Sequence, residues 1–152
     1  LHPELNSDVD RLNATFGETA FIFLSRKNKL EQAISCVKAM QTGLWHTAAN
    51  GAEFERLAPT QSPYFDAKAI RQHIAEFEED DQRWVYWFTK ESIQPLRLSY
   101  EDLADDPSIT LNKVLEMLDL QTSCTIGIKA PLAKMADELN GQWATRYHTI
   151  PN

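Results

Sequence analysis

The run Ala20-Phe21-Ile22-Phe23-Leu24 constrains the fold of this chain more than any other stretch. Five consecutive apolar residues match a strand covered on both faces, the pattern of a parallel sheet. The run ends at Ser25 and passes into a cationic turn, Arg26-Lys27-Asn28-Lys29. Asn28 suits a helix cap, with Glu31 three positions on as in a capping box. Leu30, Ala33, Ile34, Val37, Met40 and Leu44 then form one apolar stripe at helical spacing. A strand that feeds a helix through a cationic turn can hold an anion. Helix amides and Arg26 would supply donors and charge, and the Ser35 hydroxyl would reach in from about two turns along the helix.

Residues 95–99 repeat the strand design and end in the turn Tyr100-Glu101-Asp102. Around these two strands the pattern is helical. Ser7 caps a short helix that stops at Gly17. Residues 48–63 hold Gly51, Pro59 and Pro63 and read as a loop with at most a short extended piece. A long helix follows from about Asp66 to Glu91, its seam formed by Ile70, Ile74, Phe77, Asp81, Trp84 and Phe88. Asp105-Asp106-Pro107 opens a helix through Leu118, residues 122–129 read as loop, and a last helix runs from Pro131 to about Tyr147. Strands alternating with helices imply an α/β sheet in a single domain over residues 1–152. Two strands are too few for a doubly covered sheet, so a further part is expected upstream, the more so as the chain begins at Leu1.

Composition narrows the function classes. Net charge is −7, against a general binder of nucleic acid or anionic membrane, both of which need a net cationic face. The cluster Arg26, Lys27 and Lys29 still allows one local anion site. Cys36 and Cys124 form no disulfide framework and no metal spacing, which fits a reduced, cytoplasmic setting. No run approaches the roughly 18 apolar residues of a membrane span. His2, His73 and His148 show no triad or metal spacing. Phe77, Trp84, Trp87 and Phe88 crowd one helix as core or subunit interface, so a homodimer is among the expectations. Asp81 is read as a structural residue satisfied by a neighbour, and Glu78, Glu79 and Asp80 as a solvated face.

Four segments taken in order carry a family resemblance: Arg26 to Ser35, Gln41 to His46, Asp80 to Trp84, and Pro95 to Leu103. With them the chain resembles the bacterial carbohydrate sulfotransferases that use 3′-phosphoadenosine 5′-phosphosulfate, the trehalose 2-sulfotransferase-like group. The resemblance implies an α/β fold related to the P-loop nucleotide-binding proteins. It also implies that Arg26 and Ser35 hold the 3′-phosphate of the donor. A cation nine positions before the serine is Arg26 and one eight before it is Lys27, so both are phosphate candidates. By the same resemblance Tyr100 lies near the adenine. Trp45 and His46 are candidates to face a sugar acceptor, because indole faces stack on pyranose rings. No metal is implied.

The resemblance is to the C-terminal portion of such an enzyme. The glycines are Gly17, Gly43, Gly51, Gly127 and Gly141, and none sits in a strand–loop–helix cradle for a phosphosulfate group. The expected fold therefore lacks its N-terminal strand–loop–helix, and the catalytic base is not assigned. Two other readings compete. One is a non-catalytic interaction or dimerisation protein derived from the same fold. The other, a P-loop kinase relative, is weaker, because the chain has no Walker lysine.

Overall fold

A computed structural model describes residue 5 and residues 7–48, 50–120 and 137–151. The chain is a mixed α/β protein whose described residues divide into two compact units. One unit draws on residues up to Ser25 and from Asp80 to Leu120. The other draws on Arg26–Glu79 and on 137–151. In chain order the elements are α1 (Asp8–Phe16), β1 (Ile22–Ser25), α2 (Lys29–Thr42), β2 (Leu44–Thr47), β3 (Glu53–Arg56), α3 (Ala67–Lys90), β4 (Leu96–Ser99), α4 (Tyr100–Asp105), α5 (Pro107–Met117) and α6 (Glu138–His148).

In the first unit β1 and β4 pair in parallel, with Ile22 opposite Leu96 and Ser25 opposite Ser99. Among the described residues, aromatic rings cover one face of β1. Phe21 and Phe23 meet Trp87 and Phe88 at the end of α3 through edge-to-face ring contacts of 5.6–6.5 Å. Ile22 and Leu24 remain 44% and 49% exposed. This corrects the expectation of a strand buried on both faces. Side chains alternate across a strand, and aromatic rings meet this one from a single side.

Several helix ends follow from local chemistry. The Ser7 hydroxyl accepts from the Asp10 amide at 3.0 Å, and Gly17 ends α1 at φ 85°. Asp106 caps α5. Tyr100-Glu101-Asp102 is not the plain turn anticipated. The Ser99 hydroxyl accepts the Asp102 amide at 3.1 Å, which caps α4 at its start.

The second unit has the better buried core: Ala33, Ile34 and Val37 of α2, Ile70 of α3 and Trp143 of α6. Its elements end where single residues dictate. Asp66 caps α3, its carboxylate accepting from the Ala69 amide at 3.0 Å. Gly43 ends α2 in the left-handed region at φ 72°, and a Cβ there would lie 2.6 Å from the Ala58 carbonyl oxygen. The chain therefore turns two residues before the anticipated helix stripe ends. Leu44 opens β2, which pairs antiparallel with β3, the short extended piece within residues 48–63. Asp137 is extended and caps α6, so the last helix begins at Glu138 rather than at Pro131. The loop over 122–129 and Cys124 lie outside the described residues.

Candidate functional site

The site is built on the entry to α2. Arg26 follows the last residue of β1, and its side chain is only 15% exposed. Its Nη2 lies 3.3 Å from Oε2 of Glu31 in the first turn of α2. Asn28 caps that turn: its Oδ1 accepts from the Glu31 amide at 3.0 Å, and its carbonyl accepts from the Gln32 amide at 3.1 Å. One amide that could have turned to an anion, that of Glu31, is thus taken up by the cap, while the Gln32 bond is the first of the helix itself. Lys27 is exposed at the turn. The Lys29 ammonium leans on Gln32, 3.5 Å away.

Ser35 stands one turn beyond Glu31, on the same helix face, because residues four apart on a helix are neighbours. The Arg26–Glu31 contact thus lies one helical turn before Ser35 on α2. The Ser35 hydroxyl is part of a network that local sequence does not reveal. Asn140 of α6 donates from Nδ2 to Ser35 Oγ at 3.1 Å. Lys38, one turn further along α2, donates to Asn140 Oδ1 at 3.0 Å and pairs with Asp137 at 2.5 Å. Burial pushes the Asp137 carboxyl up, but the bond from Lys38 and the Asn140 amide outweigh it and hold the group below its ordinary value. Asn140 itself is 4% exposed.

As a donor set this suits a phosphate. It combines a sheltered guanidinium, a hydroxyl with an acceptor position already filled, and lysines at the turn. Glu31 is an opposing group. Its contact with Arg26 is long for a hydrogen bond and half-exposed, an arrangement that a dianion can displace.

The other anticipated residues lie elsewhere. Trp45 and His46 sit on β2, not at a helix end. His46 is exposed, and its Nδ1 lies 2.5 Å from the Glu55 carboxylate of β3, the residue paired with it in register. Trp45 is half-buried. Tyr100 belongs to the first unit and opens α4, directly after Ser99. Burial, and then the negative Glu76, push the Cys36 thiol up, which makes it a poor nucleophile. Among the described residues no group of three His, Cys, Asp or Glu side chains is placed to hold a metal ion. None of the described helices is long and apolar enough to cross a membrane.

Sequence reasoning missed Glu31 as the partner of Arg26, and it missed the trio Lys38, Asp137 and Asn140 entirely. Asn140 is 105 positions from Ser35. Its only local signal is an amide side chain near the start of a helix.

Comparison with known proteins identifies the family. A family model described as Stf0 sulphotransferase matches residues 1–149. A trehalose 2-sulfotransferase of Mycolicibacterium smegmatis is 25% identical over 130 residues, which is 86% of this chain and 46% of that protein. A trehalose 2-sulfotransferase of Mycobacterium tuberculosis is 25% identical over 131 residues, with the same shares covered. The chain spans about half the length of these curated relatives.

Proposed function

The chain belongs to the Stf0 sulphotransferase family, and we propose that it forms the part of a carbohydrate sulfotransferase that holds the 3′-phosphate end of 3′-phosphoadenosine 5′-phosphosulfate. The observation that supports this reading is the Arg26 contact with Glu31, one helical turn before Ser35 on α2, in a chain whose family match is nearly end to end. When bound, the donor supplies the sulfuryl group that an acceptor hydroxyl takes. Arg26 pairs with the 3′-phosphate by charge-assisted hydrogen bonds, and Lys27 adds charge from the turn. Ser35 donates its hydroxyl proton to a phosphate oxygen. Together these contacts distinguish the donor from ordinary adenine nucleotides and hold it for in-line attack, where positioning does most of the work.

Tyr100, which follows β4 as Arg26 follows β1, is the proposed adenine contact. Trp45 and His46 are the proposed acceptor contacts, the indole as a stacking face for a sugar ring. Trehalose is the acceptor named for both relatives, and a sugar hydroxyl is the class proposed here. The half-exposed Ile22 and Leu24, with two strands in the parallel sheet among the described residues, support a further strand–loop–helix in the intact P-loop-like domain. That element would carry the phosphosulfate loop and the general base. A cytoplasmic setting remains part of the proposal.

Calorimetric titration with 3′-phosphoadenosine 5′-phosphate, using 5′-AMP as control, tests the site. Binding of the bisphosphate should exceed that of AMP, and Arg26→Ala should weaken the bisphosphate by roughly 1.5–3 kcal/mol, the scale of a lost charged hydrogen bond. Equal binding of the two nucleotides, or an unchanged affinity in Arg26→Ala, would remove the assignment.

A second reading has one observation in its favour. Trp84, Val85 and Tyr86 on the outward arc of α3 are 53%, 38% and 72% exposed. That face supports association of two copies, either alongside catalysis or in its place.

A further inference from the structure

Asn140 has a role that follows from hydrogen-bond inventory alone. An ammonium group has donors and no acceptor, so the atom of Asn140 that faces Lys38 must be its amide oxygen. The planar amide then turns its NH2 toward Ser35, 3.1 Å away. A serine hydroxyl has one proton and two lone pairs. With Asn140 donating into a lone pair, Oγ cannot turn its own proton toward that side. The proton is left for the helix carbonyl one turn back or for an incoming oxygen. Asp137 fixes the Lys38 end of the relay, and its N-cap bond to the Asn140 amide at 3.1 Å fixes the first turn of α6. Burial of Asn140 shields this orientation from exchange with water.

We propose that Asn140 is a positioning residue that presets Ser35 as a hydrogen-bond donor toward the 3′-phosphate, with Lys38 dictating which way the amide faces. This rests on the proposed phosphate site and adds to it a residue that never touches the ligand. The direction of the Ser35 proton is the property at stake. A hydroxyl offered as donor favours a dianionic phosphate over the hydroxyl of an ordinary ribose.

The test is the ratio of affinities for 3′-phosphoadenosine 5′-phosphate and 5′-AMP, measured by calorimetry in the protein and four variants. Asn140→Asp keeps the shape and the bond from Lys38 but offers Ser35 only an acceptor, so the serine proton turns inward. The ratio should fall about tenfold, as for a lost hydrogen bond to a charged group, and approach that of Ser35→Ala. In the variant carrying both changes the ratio should fall no further than in Ser35→Ala. Lys38→Gln, which can donate or accept and so no longer dictates the amide, should lower the ratio by a smaller factor. It also provides a test should Asn140→Asp not fold. AMP affinity should stay constant throughout.

If Ser35→Ala lowers the ratio while Asn140→Asp and Lys38→Gln leave it unchanged, the phosphate site stands and the positioning role is overturned. Equal loss of both nucleotides in Asn140→Asp would mark a purely structural residue and also overturn it. If the unaltered protein fails to prefer the bisphosphate, the site reading falls and the inference with it.

Discussion

Arg26 is held by a carboxylate that any anionic ligand must contend with. Glu31 lies one turn from Ser35, and its half-exposed side chain contacts the guanidinium at 3.3 Å. Exposed ion pairs contribute little, about 0.2–1 kcal/mol, so displacing Glu31 costs little while its residual charge opposes a phosphate. Glu31→Gln should therefore tighten binding of 3′-phosphoadenosine 5′-phosphate by up to about fivefold, read in the same titration. Weaker binding in this variant would mean that Glu31 serves to aim Arg26 rather than to compete for it. The pair also shows the limit of sequence reading at this scale. The residue types and spacing of Arg26 and Ser35 were legible along the chain. The choice of Glu31 as a partner for Arg26 was made by a side-chain rotamer.

At the scale of elements, α2 and α6 are joined by a core contact and a polar relay. Trp143 packs with Ala33, Ile34 and Val37, while Asp137, Lys38 and Asn140 tie the start of α6 to the middle of α2. The relay carries a pH dependence whose sign follows from Asp137. Its carboxyl is held below the ordinary carboxylate value in the folded chain. Its contribution is therefore complete above the unfolded pKa of about 3.9 and is lost as pH falls through the lower folded value. Asn also caps helices well, so Asp137→Asn removes the charge and keeps the cap. Thermal melts should show the variant slightly less stable than the parent at pH 7, with the gap narrowing as pH falls below about 3.9. A gap that does not narrow with falling pH would place the effect in packing rather than in the ion pair. Other elements were legible in advance: the caps at Ser7, Asn28 and Asp106 appear where side-chain oxygens precede helical runs. β2 was not, because Leu44 extends the apolar period of α2. Only the left-handed turn at Gly43, tight against Ala58, takes the chain out of the helix.

Across the whole molecule the apolar surface left open is the main feature to explain. Tyr86 and Trp84 face outward on α3 although Phe88, four residues beyond Trp84, is buried. If this arc joins two copies, sedimentation equilibrium should find a dimer, and Trp84→Glu with Tyr86→Glu should convert it to a monomer that keeps its helical circular dichroism. A parent protein that stays monomeric at the highest soluble concentration would remove the interface reading. By itself the sequence determined the mixed α/β class, most helix limits, and the family through residue types at short spacing. Those properties depend on caps, apolar periods and turns, each settled within a few residues. Tertiary structure alone decided that one face of β1 is covered and that the Ser35 hydroxyl accepts a hydrogen bond from Asn140. Both depend on residues distant in the chain: Phe23 meets Phe88, and Ser35 meets Asn140 across 105 positions. Contacts at that range are selected by how elements pack, and no local pattern encodes them.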